Sequence, residues 1–197
     1  SVHSETKQTL NEITALSPQN THLAIFKTDH RQAEKYFTEA AKAGIPEAQY
    51  ELAELLRRRE VSERDPAAAR KWMREAAFSG IVDAQFRIGV ANWSGIGGKV
   101  DQREAVRWLC RAAEGGSAKA AAMLAGFLMT GNGLAYSPAR AWALFMRAAK
   151  MGNENAAATA KILERQLPLQ EKRVQRSLLR IKDSKTFLEK LIPRSER

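Results

Sequence analysis

The chain has 197 residues, and its 44% hydrophobic and 27% charged residues suit a packed core and exclude wholesale disorder. Its single cysteine, Cys110, excludes an intrachain disulfide and a cysteine-built metal site, and no run approaches the ~20 apolar residues of a membrane-spanning helix. The formal net charge is +10, but ten Lys/Arg against four Asp/Glu lie between Arg165 and Arg197, a net of +6, which argues against a basic stripe along the whole molecule.

Residues 1–28 carry little pattern and are expected to form a degenerate opening helical segment, with Thr21 to Lys27 apolar enough to pack against the first repeat. The chain opens on Ser1 without a charged-then-apolar export signal, which fits either removal on export or a trimmed start. His3, His22 and His30 cluster here without the i, i+4 spacing of a helical metal pair, so no metal site is expected from them.

From residue 29 the sequence repeats itself. Ala40-Ala41-Lys42-Ala43-Gly44 returns as Ala76 to Gly80, Ala112 to Gly116 and Ala148 to Gly152, each step 36 residues long. Ala33, Ala69, Ala105 and Ala141 keep the same register, as do Tyr36, Trp72, Trp108 and Leu144. Within a unit, positions 33, 36, 37, 40 and 41 follow the i, i+3, i+4, i+7, i+8 spacing of one helix face. Asp29, Asp65, Asp101 and Ser137 stand where an N-cap is needed, with Pro66 and Pro138 at the next position. Gly44, Gly80, Gly116 and Gly152 stand where the helix must end in a left-handed residue.

Another helix comes after each glycine, with core columns at 48, 52 and 55 and their copies. Each unit is therefore a helical hairpin whose alanine columns allow close approach, and one hairpin alone cannot bury its faces, so the units must stack. The stretch Asn92-Trp93-Ser94-Gly95-Ile96-Gly97-Gly98-Lys99-Val100-Asp101, followed by Ala105 and Trp108, resembles a Sel1-like repeat, and Thr130-Gly131-Asn132-Gly133-Leu134 with Ala141 to Gly152 is similar. The 36-residue period suits that family better than its tetratricopeptide relatives. The resemblance covers residues 29–166 and implies an all-α, right-handed α-solenoid of stacked helical hairpins. The first full unit departs from it, because Arg57 to Arg64 contains no glycine.

In helical-hairpin solenoids the helices that begin near residues 46, 82, 118 and 154, here termed first helices, line the concave wall. With 48, 52 and 55 facing the core, their free face falls near columns 47, 51, 54 and 58. Along the array, those columns grade from acidic to apolar. Glu51 and Glu54 stand at one end, then Arg87 and Val90 with Trp93 close by, then Met123 and Gly126. The expected site is a groove in which a partner helix or extended segment lays a basic end on the glutamates and an apolar anchor beside Trp93 and Met123. The bland alternative makes Trp93 interior packing and the glutamates a solvated face. The outward face of the second helices carries Lys71, Arg74, Arg107, Arg111, Arg147 and Lys150, and also Phe78, Trp142 and Met146. The cations read as solvated surface, and Trp142 with Met146 as a contact or as ground covered by the C-terminal helix.

Residues 167–197 form a basic amphipathic tail of one or two helices. Leu167-Pro168 ends the repeat pattern, and Val174, Leu178, Ile181, Leu188 and Ile192 then trace an apolar stripe opposite Lys172, Arg173, Arg176, Arg180 and Lys190. The segment reads as a cap over the end of the array, or as a helix that docks a partner or an anionic membrane, and Asp183-Ser184 is a natural break.

No nucleophile with its base, paired carboxylates, metal cluster or phosphate loop converges in the sequence, so the expectation is a non-enzyme without cofactor or small-molecule substrate. Ile96-Gly97-Gly98-Lys99 lacks phosphate-loop spacing and a preceding strand. The resemblance implies a protein-interaction module, an adaptor or regulatory scaffold, in bacteria and periplasmic or secreted rather than cytoplasmic. An inhibitor that neutralises a secreted toxin or enzyme is the alternative it also implies. Nucleic acid and membrane rank below both, since aromatics occupy core columns instead of alternating with the basic residues.

Overall fold

The computed structural model describes residues 30–58 and 65–197, without the side chains of 30–32. The expected opening segment 1–28, the Asp29 cap, His3, His22 and the heart of the glycine-free turn, residues 59–64, lie outside the described residues. Among the described residues there are ten α-helices, one 3-10 turn and no strand. The helices are α1 (His30–Lys42), α2 (Pro46–Arg57), α3 (Pro66–Phe78), α4 (Val82–Ser94), α5 (Gln102–Glu114), α6 (Ala118–Thr130), α7 (Pro138–Lys150), α8 (Glu154–Gln166), α9 (Leu169–Leu178) and α10 (Ser184–Leu191). None is long and apolar enough to cross a membrane. The chain divides into two compact units within α3, after Glu75.

The caps read from the sequence are present wherever they can be seen. Asp65 accepts from the Ala68 amide at 2.8 Å, Asp101 from Glu104 at 2.9 Å and Ser137 from Arg140 at 3.4 Å, each satisfying a helix-start N–H. Gly44, Gly80, Gly116 and Gly152 all end their helices at φ between 86° and 98°, a conformation that disfavours side chains. The tight turn after each glycine is stabilised in two ways. Ile45 and Ile81 offer no side-chain cap, and there Gln49 and Gln85 reach back to donate to the carbonyls of Ala41 and Ala77, at 3.3 and 3.2 Å. One and two repeats later the glutamines are Ala121 and Ala157, and Ser117 and Asn153 instead accept from Ala120 and Ala156. Each junction thus has one polar side chain bridging it, from one side or the other.

In the first unit Ala33, Phe37, Ala40 and Ala41 of α1 pack with Ala48, Leu52 and Leu55 of α2, and half-buried Ile45, Leu56 and Trp72 cover them. In the second unit Leu109, Ala112, Leu124, Leu128 and Leu144 share one core. The alanine columns set how closely helices meet, and Gly89 shows the limit. A Cβ there would lie 2.9 Å from Cγ of fully buried Leu109, whereas a Cβ on Gly126, midway along α6, would meet nothing within 4 Å. Gly89→Ala is expected to destabilise the second unit by about 1–3 kcal/mol through overpacking. Gly126→Ala is expected to stabilise it by about 0.5–1 kcal/mol, because an interior helix glycine loses more entropy than alanine. Urea unfolding of the two variants checks the opposite signs.

The tail breaks where Asp183-Ser184 implied. Asp183 caps α10 by accepting from the Thr186 amide, and hydrogen bonding from the Thr186 side chain together with that amide holds its carboxyl below the usual range. The tail folds back on the array, α9 on α7 of the last hairpin and α10 on α5 of the one before. Phe187, Leu188, Leu191 and Ile192 sink into the core of the second unit. Val174, expected on the buried stripe, is 62% exposed. The rest of the stripe is drawn in, Leu178 and Ile181 half-buried against the core and Leu188 and Ile192 buried in it. Trp142 is buried with Ala139, Ala160, Leu163 and Leu167, Met146 is half-buried against that group, and Arg176 lies over the Trp142 ring at 6.0 Å.

Candidate functional site

The first helices of the second unit, α4, α6 and α8, present equivalent positions 36 residues apart: Arg87, Met123 and Thr159 in one column, Val90, Gly126 and Ile162 in the next. Arg87, Val90, Met123 and Thr159 are half-buried, and Ile162 is 58% exposed. The missing side chain of Gly126 leaves open space between Met123 and the exposed end of α6, where Thr130 Oγ1 donates to the Gly126 carbonyl at 3.1 Å. This face offers apolar contact, with the Arg87 cation at its edge.

Trp93 sits in the last turn of α4 and stacks on Phe127 of α6, ring centroids 4.0 Å apart and planes 25° apart. The glycine loop after α6 closes over it: Gly133 has φ 75°, and a Cβ there would lie 3.2 Å from Trp93 Cζ3. Trp93 is therefore a brace between successive first helices as well as a half-exposed aromatic edge.

Glu51 and Glu54 belong to the first unit, and the other five expected residues to the second. Glu51 is half-buried. The sequence pattern places Glu54 on an open face, whether for a partner's basic end or for solvent, but it is only 3% exposed. Arg57 holds it through two hydrogen bonds, at 2.9 and 3.2 Å, and Arg58 approaches to 3.5 Å. The pairing raises the Arg57 pKa above its usual value. A buried carboxylate needs such partners, and arginines at i+3 and i+4 supply them on one helix face. That i+3, i+4 spacing was legible in the sequence and is why Glu54 is drawn in.

The basic ridge of the second helices is partly committed. Arg111 lies over Trp108 at 4.7 Å, Lys71 over Trp72 at 5.9 Å, and Arg107 pairs with Glu104 at 3.3 Å. Arg147 donates to the carbonyls of Ile181 and Lys182, at 2.8 and 2.6 Å, and to Ser184 Oγ at 3.0 Å. Arg140 holds both carboxylate oxygens of Glu196, at 2.8 and 3.1 Å, and Arg197 pairs with Glu114 at 2.9 Å. Sequence reasoning did not single out Arg140, Phe187 or Glu196. A signal was present in the aromatic column, which runs Tyr36, Trp72, Trp108 and then drops to Leu144.

Arg140 keeps the Glu196 carboxyl below the ordinary glutamate range. A depressed folded pKa contributes stability that is present above the unfolded value of 4.5 and is lost as pH falls through the folded one. Acid titration into that window is expected to loosen the tail clasp by under about 1 kcal/mol, given its partial exposure. Glu196→Gln, followed by denaturant melts at neutral and acid pH, should lose that pH dependence.

Cys110 shares its helix column with polar Thr38 and Arg74, yet it is 2% exposed in the core that the tail joins. Burial pushes its thiol up to about 12, so it is not a thiolate at neutral pH. Among the described residues no three His, Cys, Asp or Glu side chains gather as a metal site would require.

A family model described as the Sel1 repeat matches residues 18–45, 46–78, 82–117 and 118–153. Among solved structures, a protective antigen present in uropathogenic Escherichia coli strains, displaying an SLR fold, is similar at 30% identity and a TM-score of 0.71. The match covers 89% of this chain and 38% of that one, so the chain spans well under half the length of this neighbour. A Sel1 repeat protein from Oxalobacter formigenes is similar in fold, with 24% identity, a TM-score of 0.66, and 81% and 77% of the two chains covered. No curated protein matches the chain.

Proposed function

The chain belongs to the Sel1 repeat family, whose members are generally protein-interaction modules, and on that premise we propose that it binds a partner protein on the first-helix face of its second unit and does no chemistry there. The observation that carries this reading is the gap over Gly126, with half-buried Met123 one turn before it on α6 and exposed Ile162 at the equivalent position of α8. Solvent-facing apolar positions in register on successive helices fit the helix-in-groove mode, in which an apolar anchor enters a recess and a charged rim sets orientation. Arg87 supplies a cationic rim, and a partner with an acidic residue beside its apolar anchor would complement it. The half-exposed edge of Trp93 adjoins the same helices and adds an aromatic contact.

The test uses Gly126→Arg, which fills the gap from a site with room for a side chain and leaves the core intact. Wild-type and variant chains are used to capture proteins from the native source at moderate salt, with and without nuclease. A protein held stoichiometrically by the wild type and lost at least tenfold with Gly126→Arg is the expected result. Equal retention by both chains would sink the assignment of this face. Recovery of nuclease-sensitive material alone would move the function to the basic tail.

A further inference from the structure

The second helices change character where the tail lies on them. At two outward positions α1 and α3 carry Glu34 and Thr38, and Arg70 and Arg74. The equivalent positions on α5 and α7 are Val106 and Cys110, and Trp142 and Met146. Val106, Cys110 and Trp142 are buried. The aromatic column changes in the opposite sense, from Trp108 to the smaller Leu144. Phe187 of α10 makes up the difference: it lines one recess together with Ala113, Leu144 and Arg147. Arg147 lies over its ring at 5.2 Å, as the equivalent Arg111 lies over Trp108 at 4.7 Å one repeat earlier. The tail thus supplies the ring that the fourth repeat lacks.

The polar contacts sit at the two ends of this docked piece. Arg147 grips its start through Ile181, Lys182 and Ser184, and Arg140 grips its finish through the Leu191 carbonyl and Glu196. Four apolar side chains lie between, from Phe187 to Ile192, all at 2% exposure or less. The connection back to the array is α9, in which no residue is buried. The buried side chains beyond Pro168 therefore all belong to this piece, while α9 is held from its surface by Arg176, which pairs with Glu164 at 2.7 Å. A short amphipathic helix with an aromatic anchor, clasped at both ends in a groove between two helices, is peptide recognition performed within one chain.

We infer that the groove between α5 and α7 is a receptor for a short amphipathic helix, and that residues 181–197 are its built-in occupant, able to leave and to be replaced by the same segment of a second copy. The chemistry the groove selects is a phenylalanine with leucine and isoleucine at the following helical positions, and a carboxylate beyond them for Arg140. Tethering keeps the segment at high effective concentration, so the closed form dominates in the isolated chain and exchange is slow. This groove is lined by the second helices and by Ala121 of α6 and does not include Gly126, so its test is separate from that of the partner face.

Cys110 is the chain's single cysteine and lies buried in the core that the tail completes, so its labelling rate by a thiol reagent reports tail release. In the full chain, Phe187→Ala is expected to raise that rate at least tenfold while the far-ultraviolet helical signal stays. A synthetic peptide of residues 181–197 added in trans should restore slow labelling in a saturable way, and the same peptide carrying Phe187→Ala should not. Glu196→Arg, which breaks only the clasp, should give a smaller acceleration of a few fold, reversed when combined with Arg140→Glu. If the peptide leaves labelling unchanged up to millimolar concentration, the groove is not a receptor. The proposal is equally overturned if Phe187→Ala abolishes the helical signal and Glu196→Arg has no effect on labelling, since the tail would then be an inseparable part of the core.

Discussion

Trp108→Ala is expected to lower the stability of the second unit by about 3–5 kcal/mol, the largest effect of any single truncation proposed for the chain. The Trp108 side chain is 1% exposed on α5. The Phe78 ring meets it edge-on at a centroid distance of 4.9 Å, and the Arg111 guanidinium lies over its face at 4.7 Å. Truncation removes the ring, strips both neighbours of their partner and leaves a cavity inside α-helices that cannot collapse around it. Phe78 is already 63% exposed and would lose the aromatic contact that places it. The melting temperature should fall by about 10 °C or more. Trp108→Phe separates ring loss from indole loss, because the indole Nε1 is buried without a hydrogen-bond partner. Phenylalanine keeps aromatic contact and removes that orphan donor, so it is expected to recover most of the stability. A loss under about 1 kcal/mol for Trp108→Ala would mean that this column does not carry the repeat junction.

The hairpin array was legible because its signals are local and repeated. An N-cap, a helix face and a C-terminal glycine each depend on residues within one turn, and four copies in register leave one assignment that satisfies all of them. Asp65, Asp101 and Ser137 cap as their positions required, and every glycine of the 44, 80, 116, 152 column takes positive φ. The tail was less legible for a physical reason. An apolar stripe shows that a helix face is buried but not which surface buries it. Leu188 and Ile192 are buried as the stripe requires, and Phe187 and Leu191, both 1% exposed, widen the buried face of the helix that Asp183 caps. Glu54 illustrates a second limit: a column average gives a face, but the local arginines at 57 and 58 decide whether a carboxylate stays in water or is drawn inward. Val90 and Gly126, in the same column, have no such arginine pair following them and remain at the surface.

Trp93→Ala is expected to cost about 2–4 kcal/mol, less than truncating a fully buried tryptophan because one edge of the ring remains in solvent. The stacking on Phe127 at 4.0 Å contributes about 0.5–1.5 kcal/mol beyond buried area, and Gly133 places the next loop against the same ring. Loss of the ring would therefore unseat the glycine loop after α6 as well as the α4–α6 contact. The consequence for function is that reduced partner binding by Trp93→Ala cannot by itself assign Trp93 to the interface, since the face carrying Val90, Met123 and Gly126 would move with it. Trp93→Phe keeps the stack and shortens the exposed edge. With thermal melts and partner binding measured side by side, Trp93→Phe should retain stability to within about 1.5 kcal/mol, as a shape-related apolar exchange does. Binding that falls tenfold in Trp93→Phe at near-normal stability would place the indole edge in contact with the partner. Binding that tracks stability in both variants would leave Trp93 as a brace and put the recognition on Met123, Arg87 and the space over Gly126.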